Sequence, residues 1–125
     1  MDEKFRKQME ENGANVDTTL ERFMGNEALY MKFIMKFLDD KNFGDIMESL
    51  EKSDYEGAFN GAHALKGVTA NLGLDPINAA AAQITELLRN KQAQEVDVEK
   101  LNETKKQLEE AYIRFQKILA ENKPQ

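Results

Sequence analysis

Apolar residues recur along this chain three and four positions apart, and almost nothing interrupts the pattern. Prolines stand only at positions 76 and 124. No run of β-branched residues alternates with polar ones at a period of two. A spacing of three and four puts apolar side chains on one stripe of an α-helix, so the chain reads as all-α. At 125 residues it reads as one domain spanning 1–125, long enough for a core without disulfide or metal staples.

Start and stop signals divide the pattern into helices. Residues 2–11 predict a short first helix, ended by Asn12-Gly13. Asp17 is a suitable cap for a second, Thr18 to Met24, stopped by Gly25. Asn26 caps a stronger helix, with Tyr30, Phe33, Ile34 and Phe37 as one apolar stripe and Met31, Met35 and Leu38 as its flank. A helix this apolar either buries both sets, Met being a common filler of irregular cores, or leaves one for a partner. Phe43, Ile46, Met47 and Leu50 continue the spacing to about Lys52, with a break near Asn42-Phe43-Gly44 left open. Asp54 caps the central helix, and Gly73 ends it in a left-handed C-cap. Asp75-Pro76 restarts the chain, with Asp75 as the cap and Pro76 at the first helical position. Ile77, Ala80, Ala81, Ile84, Leu87 and Leu88 form the stripe of that helix. Asn90 to Glu95 is a polar link. Asp97 then caps a last helix carrying Val98, Leu101, Leu108, Tyr112, Phe115 and Leu119, with Lys105 a polar exception on the same spacing. Short links between long helices make neighbours antiparallel. The expected fold is an up-down antiparallel four-helix bundle with additional short N-terminal helices.

Composition removes several function classes. The chain has no cysteine, which rules out disulfides, thiolate metal sites and a cysteine nucleophile. Its net charge is −6. Basic residues are interleaved with acidic ones, as where Lys105-Lys106 precedes Glu109-Glu110, so no patch offers itself to nucleic acid. A single histidine without paired-ligand spacing argues against a metal centre. No Gly-rich nucleotide loop is present, so an autonomous kinase is excluded. The N-terminus lacks the apolar run of a signal peptide, and no stretch reaches the length of a membrane span. The expected location is the cytoplasm. Met1 and the polar end Glu121 to Gln125 read as those of a complete small protein.

The chemistry converges on that one histidine, His63, in Ala62-His63-Ala64-Leu65-Lys66-Gly67. At about 100° per residue, Ala58, Ala62, Leu65, Thr69 and Leu72 share one face, opposite His63. Glu56, Phe59, Asn60, Lys66, Gly67 and Ala70 lie within about 60° of it. His63 is therefore expected to point outward. Lys66, three residues on, is within reach of the imidazole. Gly67, four residues on, costs about 1 kcal/mol relative to alanine inside a helix, and clearance beside the ring is a compensating reason. Phe59 reads either as a docking anchor or as a ring partly covered by a neighbouring helix. An imidazole has an unperturbed pKa of about 6.5, so near neutral pH a ring nitrogen can act as a nucleophile toward phosphorus.

These residues, followed by Asn71-Leu72-Gly73 and preceded by Asp54-Tyr55, resemble the histidine phosphotransfer (HPt) domain family. The stretch from Val16-Asp17 through Leu20-Glu21-Arg22-Phe23-Met24-Gly25-Asn26 to Leu29-Tyr30 also looks like that family, so the resemblance covers about 16–119. It implies a phosphorelay intermediate that carries a phosphoryl group between aspartates of response-regulator receiver domains, one of them often in a hybrid histidine kinase. His63 would be the phosphoacceptor, Lys66 the charge partner and Gly67 the clearance residue. Phe59, Asn60, Ala70 and Asn71 would dock the partner. The chain would bring no cofactor or metal of its own, since Mg²⁺ would come with the receiver, and it would act as a monomer. In the family, Glu or Gln often stands on the following helix where this chain has Thr85. Thr85 and Arg89 are therefore the candidates for supporting the imidazole from that side. Two alternatives remain open from sequence: a bundle that docks receivers without being phosphorylated, and the phosphotransfer module of a chemotaxis-type kinase.

Overall fold

A computed structural model describes residues 1–124; Gln125, at the polar end, lies outside the described residues. Seven α-helices form among the described residues. They are α1 (Glu3–Glu11), α2 (Val16–Arg22), α3 (Glu27–Lys36), α4 (Asn42–Glu51), α5 (Tyr55–Leu72), α6 (Asp75–Leu88) and α7 (Val98–Glu121). Two 3₁₀ turns, Phe37–Asp39 and Ala93–Glu95, extend α3 and precede α7. The long helices α4 to α7 make the bundle. α5 packs between α4 and α6, and α7 packs on α6. The three N-terminal helices close one side.

Local capping follows the side-chain chemistry. Asp54 accepts from the Gly57 amide at 2.9 Å, Asn26 from that of Leu29 at 3.0 Å and Asp97 from that of Lys100 at 3.0 Å. Each satisfies an amide that the first helical turn leaves without a partner. Two caps differ from expectation. Asn15, not Asp17, caps α2, accepting from the Thr18 amide at 3.2 Å. Asp17 lies inside the first turn and pairs with Arg6 of α1. Leu74, not Asp75, is the N-cap residue of α6, so Asp75 contributes charge to the first turn without a capping bond. The α3–α4 break falls just ahead of Asn42, where Asp40 leaves the helical conformation and accepts from the Phe43 amide at 3.1 Å.

The core draws Phe5 and Met9 from α1, Tyr30 and Ile34 from α3, and Ile46 from α4. Leu65, Ile84, Leu108 and Phe115 come from the later helices. Tyr30 is fully buried and its hydroxyl has no hydrogen-bond partner among the described residues; burial pushes its pKa up to about 12, so the ring stays neutral. Small residues let α4 close on α5: a Cβ at Gly61 would lie 2.9 Å from Ile46 Cγ1. Across the bundle, Phe43 of α4 stacks on Tyr112 of α7 with centroids 3.9 Å apart, and Gln116 donates to the Phe37 carbonyl at 2.8 Å.

Periodicity misplaces a few side chains at the stripe edges. Phe33 is 37% exposed although it lies on the stripe of Tyr30 and Ile34. Val98, the first residue of α7, is exposed, and the buried stripe of that helix begins at Leu101. Thr104 takes the buried place on α7 to which the spacing pointed at Lys105. Leu87 is only half-buried, and Thr85 is buried instead. Threonine is tolerated inside because its hydroxyl can donate to the carbonyl four residues back. Thr19, Thr69, Thr85 and Thr104 all do so, at 2.7–2.9 Å.

Candidate functional site

The residues of α5 that are buried are Ala58, Ala62, Leu65, Thr69 and Leu72, the set that the helical wheel places opposite the histidine. His63 therefore faces outward and is exposed. Among the described residues it makes no hydrogen bond or ion pair. Its one ordered neighbour is Phe59, whose ring centroid lies 6.0 Å from the imidazole at an interplanar angle of 39°. Asn60, Gly67, Ala70 and Asn71 are exposed on the same side of α5, while Phe59 and Lys66 are half-buried at its edge toward α6.

Two cations border this face, Lys66 on α5 and Arg89 at the end of α6, and they are held differently. Lys66 makes no ion pair among the described residues. Its main chain is tied down, because Asn78 of α6 donates to the Lys66 carbonyl at 2.7 Å. That bond locks the register of α5 and α6 beside the histidine. Arg89, the C-cap residue of α6, lies with its guanidinium carbon 5.3 Å from the Phe59 centroid, and its Nη2 pairs with Glu86 at 3.1 Å. Phe59 is thus partly covered from α6, and a cation does the covering.

Gly67 has open space around it: a Cβ there would meet no atom within 4 Å. Nothing in the chain's own packing requires a glycine at this position. Gly67→Ala is expected to raise folding stability by up to about 1 kcal/mol, read as a higher melting temperature. If the clearance serves a bound phosphoryl group or partner, the same variant slows phosphoryl exchange by about tenfold through misplacement. A variant that is more stable and equally fast removes Gly67 from the site.

Thr85 offers the imidazole nothing from its hydroxyl. It is fully buried, and that hydroxyl donates to the Ala81 carbonyl at 2.8 Å. Sequence reasoning did not single out Asn78, which borders the site from α6. It also missed a groove of about 290 Å³ on the other side of α5, lined by Phe33, Phe37, Val68, Asn71 and neighbouring residues. Phe33 and Val68, 37% and 38% exposed, form its apolar wall, and Phe23 stacks behind Phe33 at 5.3 Å. Arg22 of α2 donates to the Ala70 carbonyl and draws the α2–α3 elbow onto α5. The hint in the sequence was that α3 is apolar enough to leave one side for a partner. Among the described residues, no three His, Cys, Asp or Glu side chains gather where they could hold a metal ion, and no helix is long and apolar enough to cross a membrane.

Comparison with known proteins agrees with this arrangement. The family model for the Hpt domain matches residues 3–117. Neither the curated proteins nor the solved structures include a match. The matched span begins ahead of Val16, where the resemblance in the sequence starts, and takes in α1. That inclusion makes structural sense, since Phe5 and Met9 of α1 are core residues. Covered nearly from end to end by that family model, and folded so that its single histidine stands clear of the bundle, the chain belongs to the histidine phosphotransfer (Hpt) domain family.

Proposed function

We propose that His63 carries a phosphoryl group between aspartates of receiver domains in a phosphorelay. A lone pair on one ring nitrogen attacks the phosphorus of a receiver's aspartyl phosphate. The N–P bond forms as the P–O bond to the carboxylate breaks, and the carboxylate leaves with the electron pair. The return step passes the phosphoryl group to the aspartate of a second receiver. Such transfers need positioning and charge stabilisation more than covalent machinery. Lys66 supplies charge at the phosphoryl oxygens, and the receiver supplies its own acidic pocket and Mg²⁺. The chemistry at His63 is the same whether the bundle acts alone or as a module of a larger kinase.

The observation that carries this reading is the exposed, unbonded imidazole of His63 beside a glycine whose missing side chain the fold does not require. Asn60, Ala70 and Asn71 leave a low, polar surface for a receiver to approach. The apolar wall of Phe33 and Val68 adds an anchor at its edge, because contiguous exposed apolar surface beside a reactive group is where partners bind.

The test is incubation with receivers carrying labelled aspartyl phosphate. Acid-labile, base-stable label that maps to the His63 peptide is the expected result. If none of the cognate receivers loads the protein although they bind it, the bundle is a docking module only. Lys66→Ala is expected to slow loading by about tenfold while stability stays within about 0.5 kcal/mol. An unchanged rate would take Lys66 out of the mechanism.

A further inference from the structure

From His63 a chain of contacts runs through Phe59 and Arg89 and ends in an acid. The imidazole lies 6.0 Å from Phe59, and the Phe59 ring lies 5.3 Å from the Arg89 guanidinium carbon. Arg89 in turn places Nη2 and Nε 3.1 and 3.2 Å from a single oxygen of Glu86. Arg89 and Glu86 are both exposed, and they stand three residues apart at the end of α6. The guanidinium is thus held against Phe59, one ring removed from the imidazole, and is occupied by a carboxylate on its own helix.

Magnitudes decide how firmly it is held. An exposed pair at this spacing contributes little, because water screens it and two long side chains must be ordered to make it. A phosphoryl group brings close to two negative charges at neutral pH and three acceptor oxygens. A guanidinium binds such oxyanions with two parallel N–H donors, a geometry that one carboxylate oxygen does not use. Contact with the Phe59 face leaves the N–H edge of the guanidinium free to turn. Arg89 also sits at a helix C-terminus, where a cation is favoured in either position.

We propose that Arg89 is a counter-ion exchanged on phosphorylation: Glu86 holds it while His63 is free, and the phosphoryl group on His63 takes it when loaded. Glu86 then acts as a competitor, setting how strongly the loaded state is stabilised. No covalent bond changes in this exchange; one ion pair replaces another. The inference rests on the phosphocarrier reading above and adds Glu86 and Arg89 to it as positioning residues. The other charged groups on this side are Lys66 on α5, and Glu56 and Lys91, which line a hollow with Phe59.

The experiment loads His63 chemically with phosphoramidate, which phosphorylates imidazoles without any partner protein. Phosphorus NMR then follows the second ionisation of the phosphoryl group in the parent, Arg89→Gln, Glu86→Gln and the double variant. A nearby guanidinium favours the dianion. Arg89→Gln is therefore expected to raise the group's proton affinity about threefold. Glu86→Gln is expected to lower it, and to lose most of that effect once Arg89 is absent, which a double-mutant cycle reads directly. An Arg89→Gln titration equal to the parent's overturns the exchange. So does a Glu86→Gln effect of the same size with and without Arg89, which is simple through-space charge. Because chemical loading does not depend on a receiver, either of these results leaves the phosphocarrier reading to be judged by the receiver experiment alone.

Discussion

His63→Gln is expected to abolish phosphoryl uptake and to leave folding stability within about 0.5 kcal/mol of the parent. Both halves come from the same geometry. The imidazole is exposed, and among the described residues it bonds to nothing, so removing it opens no cavity and orphans no polar group. The chain has no second histidine to take over. Glutamine is a good helix former with a similar reach, and its amide nitrogen has no free lone pair to offer phosphorus. The loss is therefore one of chemistry, not of degree. The measurement pairs the receiver-labelling assay with a denaturation curve. Residual label at the parent level would move the phosphoacceptor elsewhere, and a large drop in the unfolding midpoint would show that the ring has a structural role.

Gly73→Ala is expected to act in the opposite way, costing about 3 kcal/mol of stability and lowering the melting temperature by roughly 10 °C or more. Gly73 ends α5 with φ +70, in the left-handed region, where a side chain costs about 1–2 kcal/mol. Steric conflict adds to that. A Cβ here would run into the Thr19 hydroxyl and lie 2.6 Å from the Asn15 carbonyl oxygen. Neither group can retreat. Thr19 is buried with its hydroxyl on the Asn15 carbonyl, and the Asn15 amide donates to the Gly73 carbonyl at 2.8 Å. The α2 start and the α5 end are thus one knot of backbone, and overpacking it costs a further 1–3 kcal/mol or about that. Against a total stability of about 5–15 kcal/mol this is a large fraction. A melting temperature within about two degrees of the parent would mean that the knot loosens at little cost. The variant also weakens the seat of the α2–α3 elbow on α5, and with it the groove at Phe33 and Val68.

The face of α5 was legible without coordinates. Which residues of a helix share a side depends on a rotation of about 100° per residue, a local property. An apolar stripe that matches that rotation must be buried for the bundle to fold. The outward placement of His63 followed from Ala58, Ala62, Leu65, Thr69 and Leu72 alone. Caps made by Asp54, Asn26 and Asp97 were legible for the same reason, since each involves a side chain and an amide three residues on. Asp17 was misjudged because Asn15, two residues earlier, offers an equally good capping group, and Asp75 because the N-cap place fell on Leu74, whose side chain can cap nothing. The choice between them lies in how the preceding loop meets the rest of the fold.

The glycines separate what is local from what is not. In sequence, Gly73 already reads as a C-cap and Gly67 as clearance beside the imidazole, whereas Gly61 carries no signal of its own. Gly61 is small because Ile46 of another helix presses on it, Gly73 because a left-handed turn meets α2, and Gly67 faces open space. Phe33, Thr85 and Arg89 show the same division. Spacing put Phe33 on the core stripe of α3, yet the α3 neighbours stop short of covering it. Thr85 looked like a partner for the imidazole, yet its hydroxyl was already committed to Ala81. Arg89 was a candidate for supporting the imidazole, and the pairing of α6 with α5 laid it on Phe59. The chain by itself determined the helices, the caps made by Asn26, Asp54 and Asp97, and the face that carries His63, because these rest on contacts within four residues. Only the tertiary structure decided what covers each face, since that depends on where another helix, tens of residues away, comes to rest against it.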